Sequence, residues 1–207
     1  MDSDSATVDA APLGRRERSK AALRQRLLEA ALAAFAEKGY RASTIDEIAE
    51  RADVARATAF NHYPRKEDFL LELILKRRQS IREGLEQQLQ AGERSVLDVI
   101  QGVARAAAHS YEADRETNQA MMRAVLHSGV MATAGSHSTG LLFGQAIAVG
   151  QERGEIRTDL DAFAIGNLLF DSYVGILYRW GLDEVEVSLE EAFGTVHDVV
   201  VTGISPR

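Results

Sequence analysis

The sequence predicts an all-α protein: an N-terminal three-helix helix-turn-helix unit followed by a larger helical body, about nine helices in all. Three observations predict it. Only three prolines occur in 207 residues, Pro12, Pro64 and Pro206, and helix interiors exclude proline. The chain is rich in Ala, Leu, Glu and Arg, the strong helix formers. Apolar residues recur at three- and four-residue spacing, with no strand-like alternation of useful length and no internal repeat.

Each element has its own signal. Residues 1–14, MDSDSATVDAAPLG, are acidic and small, without an apolar signal core, and read as a disordered tail. From Ser19 to Lys38, Leu23, Leu27, Leu28, Ala31, Leu32 and Phe35 form one stripe. Lys38 in the last turn and Gly39 as a left-handed cap end it. A second helix opens on a capping box, Thr44 to Glu47, and carries Ile45, Ile48, Ala49 and Ala52 on one face. Asp53 follows in a short turn, where Asp tolerates left-handed geometry. A third, two-turn helix runs from about Ala55 to His62. Pro64 suits the first turn of a fourth, long amphipathic helix, RKEDFLLELILKRRQSIREGLEQQL. Five more helices span 94–111, 115–133, 138–153, 159–180 and 188–203, each break supplying Gly, Ser or Asp. The break at 131–138, MATAGSHS, is flexible in composition.

Composition excludes several functions. No run approaches the roughly 18 apolar residues of a membrane span. The absence of cysteine rules out disulfides and thiolate metal sites and makes a reducing cytoplasm the simplest home. His109, His127, His137 and His197 are scattered without metal-ligand spacing, so no metal and no cofactor is implied. There is no nucleophile elbow and no phosphate loop, and the carboxylate pairs Asp183–Glu184 and Glu190–Glu191 sit in charged, solvated contexts. An enzyme is not expected. The net charge of −7 is uneven: residues 15–66 carry 12 Lys/Arg against 7 Asp/Glu, and residues 67–207 carry 12 against 21. That division describes either a polyanion-binding head on an acidic body or a chance clustering of surface charge.

The second and third helices, about three residues apart, have helix-turn-helix geometry. In such a unit the second helix enters the major groove. Arg56 at its start has the length to reach guanine acceptors. Ala57 and Ala59 permit close backbone approach, Thr58 can donate to a phosphate, and Asn61 can pair with adenine or a phosphate. His62 and Lys66 lie at the far end, where a DNA strand would pass. Phe60 and Tyr63 face the three-helix core on the same periodicity. Residues 15–20, RRERSK, form either a basic arm reaching DNA or a frayed tail.

The stretch GYRASTIDEIAERADVARATAFNHYPRKEDFLLELI resembles the N-terminal signature of TetR-family transcription regulators. The resemblance rests on Gly39, Tyr40, Thr44, Ile48, Ala49, Val54, Arg56, Ala57, Thr58, Phe60, Tyr63, Pro64, Lys66 and Glu67. It implies a DNA-binding domain at 15–66 and a ligand-binding and dimerisation domain at 67–207. It further implies a ligand-responsive repressor that reads a palindromic operator as a homodimer; an activator or a ligand-independent binder of the same fold is the alternative. By resemblance, Thr44, Thr58, His62 and Lys66 hold phosphates, Arg56, Ala57 and Asn61 face bases, and Tyr63 completes the DNA-binding set. Three positions depart from the pattern. Asp53 replaces a turn glycine. Ala55 replaces a capping serine, at a cost of about 0.5–2 kcal/mol. His62 stands where Tyr is common and changes charge near neutral pH.

In the body, the apolar residues of 159–180 fill an arc of about 180°. Such a helix faces either its own core plus a second surface or the centre of a bundle. By the resemblance, this helix and the last one form the dimer interface, with Ile165, Leu169, Ile176, Trp180, Phe193, Val196 and Val200 as candidates. The resemblance also implies a ligand pocket, with Tyr111, Met121, Met122, Leu126, His127, Phe143, Phe170 and Tyr173 as lining and Asp171 as a polar contact. Asn167 and Asp171 serve either that pocket or the dimer edge. The acidic composition favours a mostly apolar effector, uncharged or cationic rather than anionic.

Overall fold

The computed structural model describes residues 14–133 and 137–204. Every regular element among them is helical: α1 (Arg15–Lys38), α2 (Ile45–Arg51), α3 (Arg56–His62), α4 (Lys66–Ala91), α5 (Val96–Glu112), α6 (Arg115–Ser128), α7 (Val130–Thr133), α8 (His137–Glu152), α9 (Ala162–Gly181) and α10 (Leu189–Ile204). All of the expected tail except Gly14 lies outside the described residues, as does the centre of the 131–138 break.

Local chemistry explains most boundaries. Thr44 and Glu47 close the capping box of α2, Glu47 N donating to Thr44 Oγ1 at 3.2 Å and Thr44 N to the Glu47 carboxylate at 3.2 Å. Ser95, Asp114 and Asp161 cap α5, α6 and α9, their side chains accepting from the backbone N–H of Asp98, Thr117 and Ala164. Most boundaries shift by a residue or two from the sequence reading, and four differ for a local reason. Helix α1 begins at Arg15 rather than Ser19, because the Glu17 carboxylate accepts from Gly14 N at 3.2 Å and closes the first turn. RRERSK is therefore helix, and no extended arm forms from it. Pro64 lies outside α4, whose N-terminus is capped by Asp68 accepting from Arg65 N at 2.9 Å. Helix α9 begins behind the Asp161 cap, later than residue 159. The run 115–133 breaks at Gly129, which takes the left-handed conformation (φ 69°, ψ 10°) and leaves α7 as a four-residue turn.

Helices α1, α2 and α3 pack around Leu27, Leu28, Ala31, Phe35, Ile48, Ala49, Ala59 and Tyr63, all buried. Helix α4 leaves this unit and enters the body, where it meets α5, α6 and α8. Helix α1 also rests on α6. The body core is centred on Ile100, Ile147, Leu169 and Trp180, each at most 1% exposed.

The closest helix pairing is α8 with α9. A Cβ built on Gly166 would lie 2.3 Å from Gly144 N and 2.6 Å from Gly140 O, and one on Gly144 would lie 2.9 Å from Phe163 Cα. Here backbone meets backbone, so a side chain cannot be accommodated by a rotamer change. We expect Gly166→Ala to destabilise the protein by about 1–3 kcal/mol, seen as a lower Tm. Gly194→Ala, on α10 with no atom within 4 Å of its Cβ, should be neutral or mildly stabilising. Equal Tm values for the two variants would refute this packing account.

Candidate functional site

Helices α2 and α3 are joined by a turn in which Asp53 adopts φ 53°, a conformation Asp enters at lower cost than most residues. Ala55 occupies the N-cap of α3 without a side-chain hydrogen bond. Packing therefore fixes this helix: Ala59 and Tyr63 are buried, and Val54, Thr58 and Phe60 are half-buried. The opposite face presents Arg56, Ala57 and Asn61 to solvent, with Thr44 exposed beside them at the start of α2. Arg56 reaches back to α2, its Nε 2.8 Å from Asp46 Oδ1, and lies 5.3 Å from the Phe60 ring. An exposed pair of this kind is worth about 0–1 kcal/mol, little enough for a competing acceptor to replace it.

Two residues of the expected DNA-binding set are engaged internally. The Tyr63 ring is 1% exposed and stacks on Phe69 at 4.0 Å, and its hydroxyl donates to Glu72 at 2.8 Å. Lys66 Nζ donates to Tyr40 O and Ser43 O at 2.7 Å each and to Arg41 O at 3.3 Å. Its ammonium has three donors, and all are used to hold the α1–α2 loop. Both residues position the head from within. His62 is half-buried, and its pKa is lowered by burial, with repulsion from Arg24 and Lys20 adding to the effect.

Glu72 joins the head to α4. Arg24 of α1 forms an ion pair with it, Tyr63 donates to it, and Lys76 Nζ lies 3.3 Å away. Burial pushes the Glu72 carboxyl up, but the hydrogen bonds from Arg24 and Tyr63 outweigh this and hold it below its ordinary value.

A cavity of about 340 Å3 lies in the body, walled by α4, α5, α6, α8, α9 and α10. Tyr111, Met121, Met122, Phe143, Phe170 and Tyr173 line it. Leu126, His127 and Asp171 do not: all three are exposed, and His127 Nδ1 lies 2.7 Å from Arg123 O in its own helix. These three fall on the outer faces of α6 and α9. Two lining residues of α4, Arg77 and Arg78, are absent from the sequence reading. A signal for them exists, since Ile74, Arg77, Arg78 and Ile81 share one helical stripe at i, i+3, i+4, i+7. Among the described residues these arginines are the only ionic groups in the lining. The acidic composition of the body is therefore not carried into this lining.

The expected dimer residues mostly face inward. Ile165, Leu169, Ile176, Trp180 and Phe193 are buried in the protomer, and Val196 and Val200 are half-buried. The wide apolar arc of α9 is consumed by contacts with α6, α8 and α10. The apolar side chains left outward on α9 and α10 include Leu168, 58% exposed, and Val199, 69% exposed. Asn167 lies against the Gly140 position of α8 rather than in the cavity lining. Among the described residues no helix is long and apolar enough to cross a membrane, and no group of three or more His, Asp or Glu is placed to hold a metal.

Comparison with known proteins agrees with this architecture. Residues 27–73 match the family "Bacterial regulatory proteins, tetR family". The chain is 27% identical over 181 residues to the HTH-type transcriptional repressor KstR of Rhodococcus jostii (strain RHA1), covering 86% of this chain and 83% of that protein. It superposes on the Thermus thermophilus FadR repressor, solved with lauroyl-CoA, with a TM-score of 0.65 and 25% identity, over 89% of this chain and 96% of that one. SmeT, the repressor of the Stenotrophomonas maltophilia SmeDEF multidrug efflux pump, shares the fold with a TM-score of 0.74 and 19% identity, over 88% of this chain and 90% of that one. Residues 27–73 thus carry the helix-turn-helix signature of the TetR family, and the helical body that bears it is similar in architecture to those of TetR-family transcription regulators.

Proposed function

We propose that the protein is a ligand-responsive transcriptional repressor that binds a palindromic operator as a homodimer in the cytoplasm. The observation that carries this reading is the double duty of α4. At one end it is tied through Glu72 to α1 and to the residue that ends α3. Over the next two to three turns, Ile74, Arg77, Arg78 and Ile81 wall the cavity. A molecule entering the cavity presses on the helix that sets the pose of the reading head. It releases DNA only if it favours the pose that misplaces the heads. Repression, rather than activation, follows the relatives KstR, FadR and SmeT.

In this reading residues 15–66 form the DNA-binding domain and 67–207 the ligand-binding and dimerisation domain. Arg56, Ala57 and Asn61 face base edges, and Thr44, Thr58 and His62 face phosphates. The effector is mostly apolar and enters beside Tyr111, Met122, Phe143, Phe170 and Tyr173. Dimerisation uses the outward surface of α9 and α10 around Leu168 and Val199. One two-turn helix reads few bases, and a two-fold dimer doubles the site.

Selection of bound sequences from random DNA should return a palindrome whose affinity falls steeply with salt. Selection without a consensus would refute the reading. Leu168→Glu with Val199→Glu should convert the dimer to a monomer by native mass spectrometry and weaken operator binding at least about tenfold, since half-sites then bind alone. A dimer that persists in this variant would move the interface elsewhere.

His62 gives a pH dependence of definite sign. In the free protein burial, with Arg24 and Lys20 nearby, holds its pKa below the ordinary histidine value. A nearby phosphate stabilises the charged ring and raises that value in the complex. Operator affinity should then be flat above about pH 7.5 and rise as pH falls toward about 6. Fluorescence anisotropy across that range tests it, and the rise should vanish in His62→Phe. The same rise in that variant would exclude His62 as the source.

A further inference from the structure

We infer that the cavity takes an anionic amphiphile, an apolar body carrying one negatively charged group held by Arg77 and Arg78. The inference rests on the proposed effector role of the cavity and names the class of molecule that fills it.

The body is acidic overall, with nine more Asp/Glu than Lys/Arg over residues 67–207. A cavity in it chosen at random would be expected to show carboxylates. Instead, among the described residues its lining carries two arginines and no Asp or Glu, in a wall that is otherwise largely aliphatic and aromatic. Both arginines lie on the apolar stripe of α4, where a guanidinium gives up hydration that a solvent-facing position would supply. Burial, with Arg82 close by, holds the Arg78 pKa below its ordinary value.

Arg77 is also held in place before any ligand arrives. Its Nη2 donates to Asn118 Oδ1 at 2.6 Å, and its guanidinium lies 3.8 Å above the Tyr111 ring. Asn118 is itself fixed, donating to Tyr111 O at 2.9 Å and Ser110 O at 3.3 Å. A planar guanidinium fixed on one edge and one face presents the rest of its fork at low entropic cost, the arrangement suited to a carboxylate or phosphate. Ser80 and Ser110 stand in the same lining and can complete the shell of such a group. The side facing α8–α10, built from Phe143, Phe170, Tyr173 and Phe193, takes the apolar part.

The test uses the full-length protein and a neutral fluorescent dye, 1-aminoanthracene, displaced by laurate, 1-dodecanol, dodecylammonium or lauroyl-CoA at pH 7.5. The first three share one chain and differ in charge. Laurate should displace the dye at concentrations about tenfold or more below dodecanol, with dodecylammonium weakest. In Arg77→Gln/Arg78→Gln the laurate-to-dodecanol preference should fall toward one, and Arg77→Lys should retain part of it. The ratio is the readout because a loosened cavity weakens both probes alike. Should the double variant fail to fold, each single Gln variant must lower the ratio on its own. Preference for laurate assigns the anion to a carboxylate inside the cavity. Preference for lauroyl-CoA that the double variant loses assigns it to phosphates at the mouth. Dodecanol or dodecylammonium equal to or better than both anions would overturn the inference while leaving an effector cavity intact. No dye binding at all would overturn the effector role and the inference together.

Discussion

Glu72 is a carboxylate that the fold cannot leave alone. It sits largely out of water on α4, accepts from Arg24 and Tyr63, and has Lys76 one turn away. Taking a carboxylate out of water is expensive, and breaking such a cluster by removing one partner is costlier than never forming it. Each partner belongs to a different part of the chain: α1, the end of α3, and the next turn of α4. The three-helix unit therefore has one low-energy pose on α4. Tyr63 strengthens this twice over, because its ring is stacked on Phe69 and covered by Arg24 at 4.8 Å. Placement of the exposed face of α3 is thus a consequence of electrostatics several residues away from it.

The same economy explains why the α1–α2 loop is ordered. Lys66 gathers three backbone carbonyls, and Tyr40 donates to Glu67 at 2.7 Å from the same loop. The first turn of α4 thereby holds the loop that precedes α2, and Glu72 holds the helix that follows it. The head is stabilised from both ends by one helix. Its own core sets a few large side chains among small ones such as Ala31, Ala34, Ala49 and Ala59, and a unit of about fifty residues buries little surface by itself.

What the sequence revealed depended on the range of the interaction. Capping boxes, the left-handed Asp53 and the uncapped Ala55 are local, and the structure places them where the pattern does. The helix count was legible from periodicity, save at Gly129, where one glycine in an otherwise periodic run gave no warning of a full break. The inward faces were less legible. Tyr63 and Lys66 carry groups suited to a phosphate, and only tertiary partners reveal that those groups are already engaged. The arc of α9 was wide, but whether a neighbouring helix or a second protomer covers it is a matter of packing, not of spacing. Arg77 and Arg78 were visible on their stripe, yet a cationic pair in KRRQSIR reads first as solvated surface. The acidity of the body as a whole says nothing about the sign of the field inside one cavity.

The glycine seam between α8 and α9 gives the body a mechanical asymmetry. Where Gly140, Gly144 and Gly166 bring two backbones together, there is no layer of side chains to compress or rearrange. That wall of the cavity behaves as the fixed jaw of a vice. The opposite wall, carried by α4 and α5, meets the cavity through side chains such as Ile74, Ile81, Val103 and Tyr111. In the proposed mechanism, volume added at the cavity is taken up on the side-chain wall rather than at the backbone seam, and so acts along the helix that bears the head.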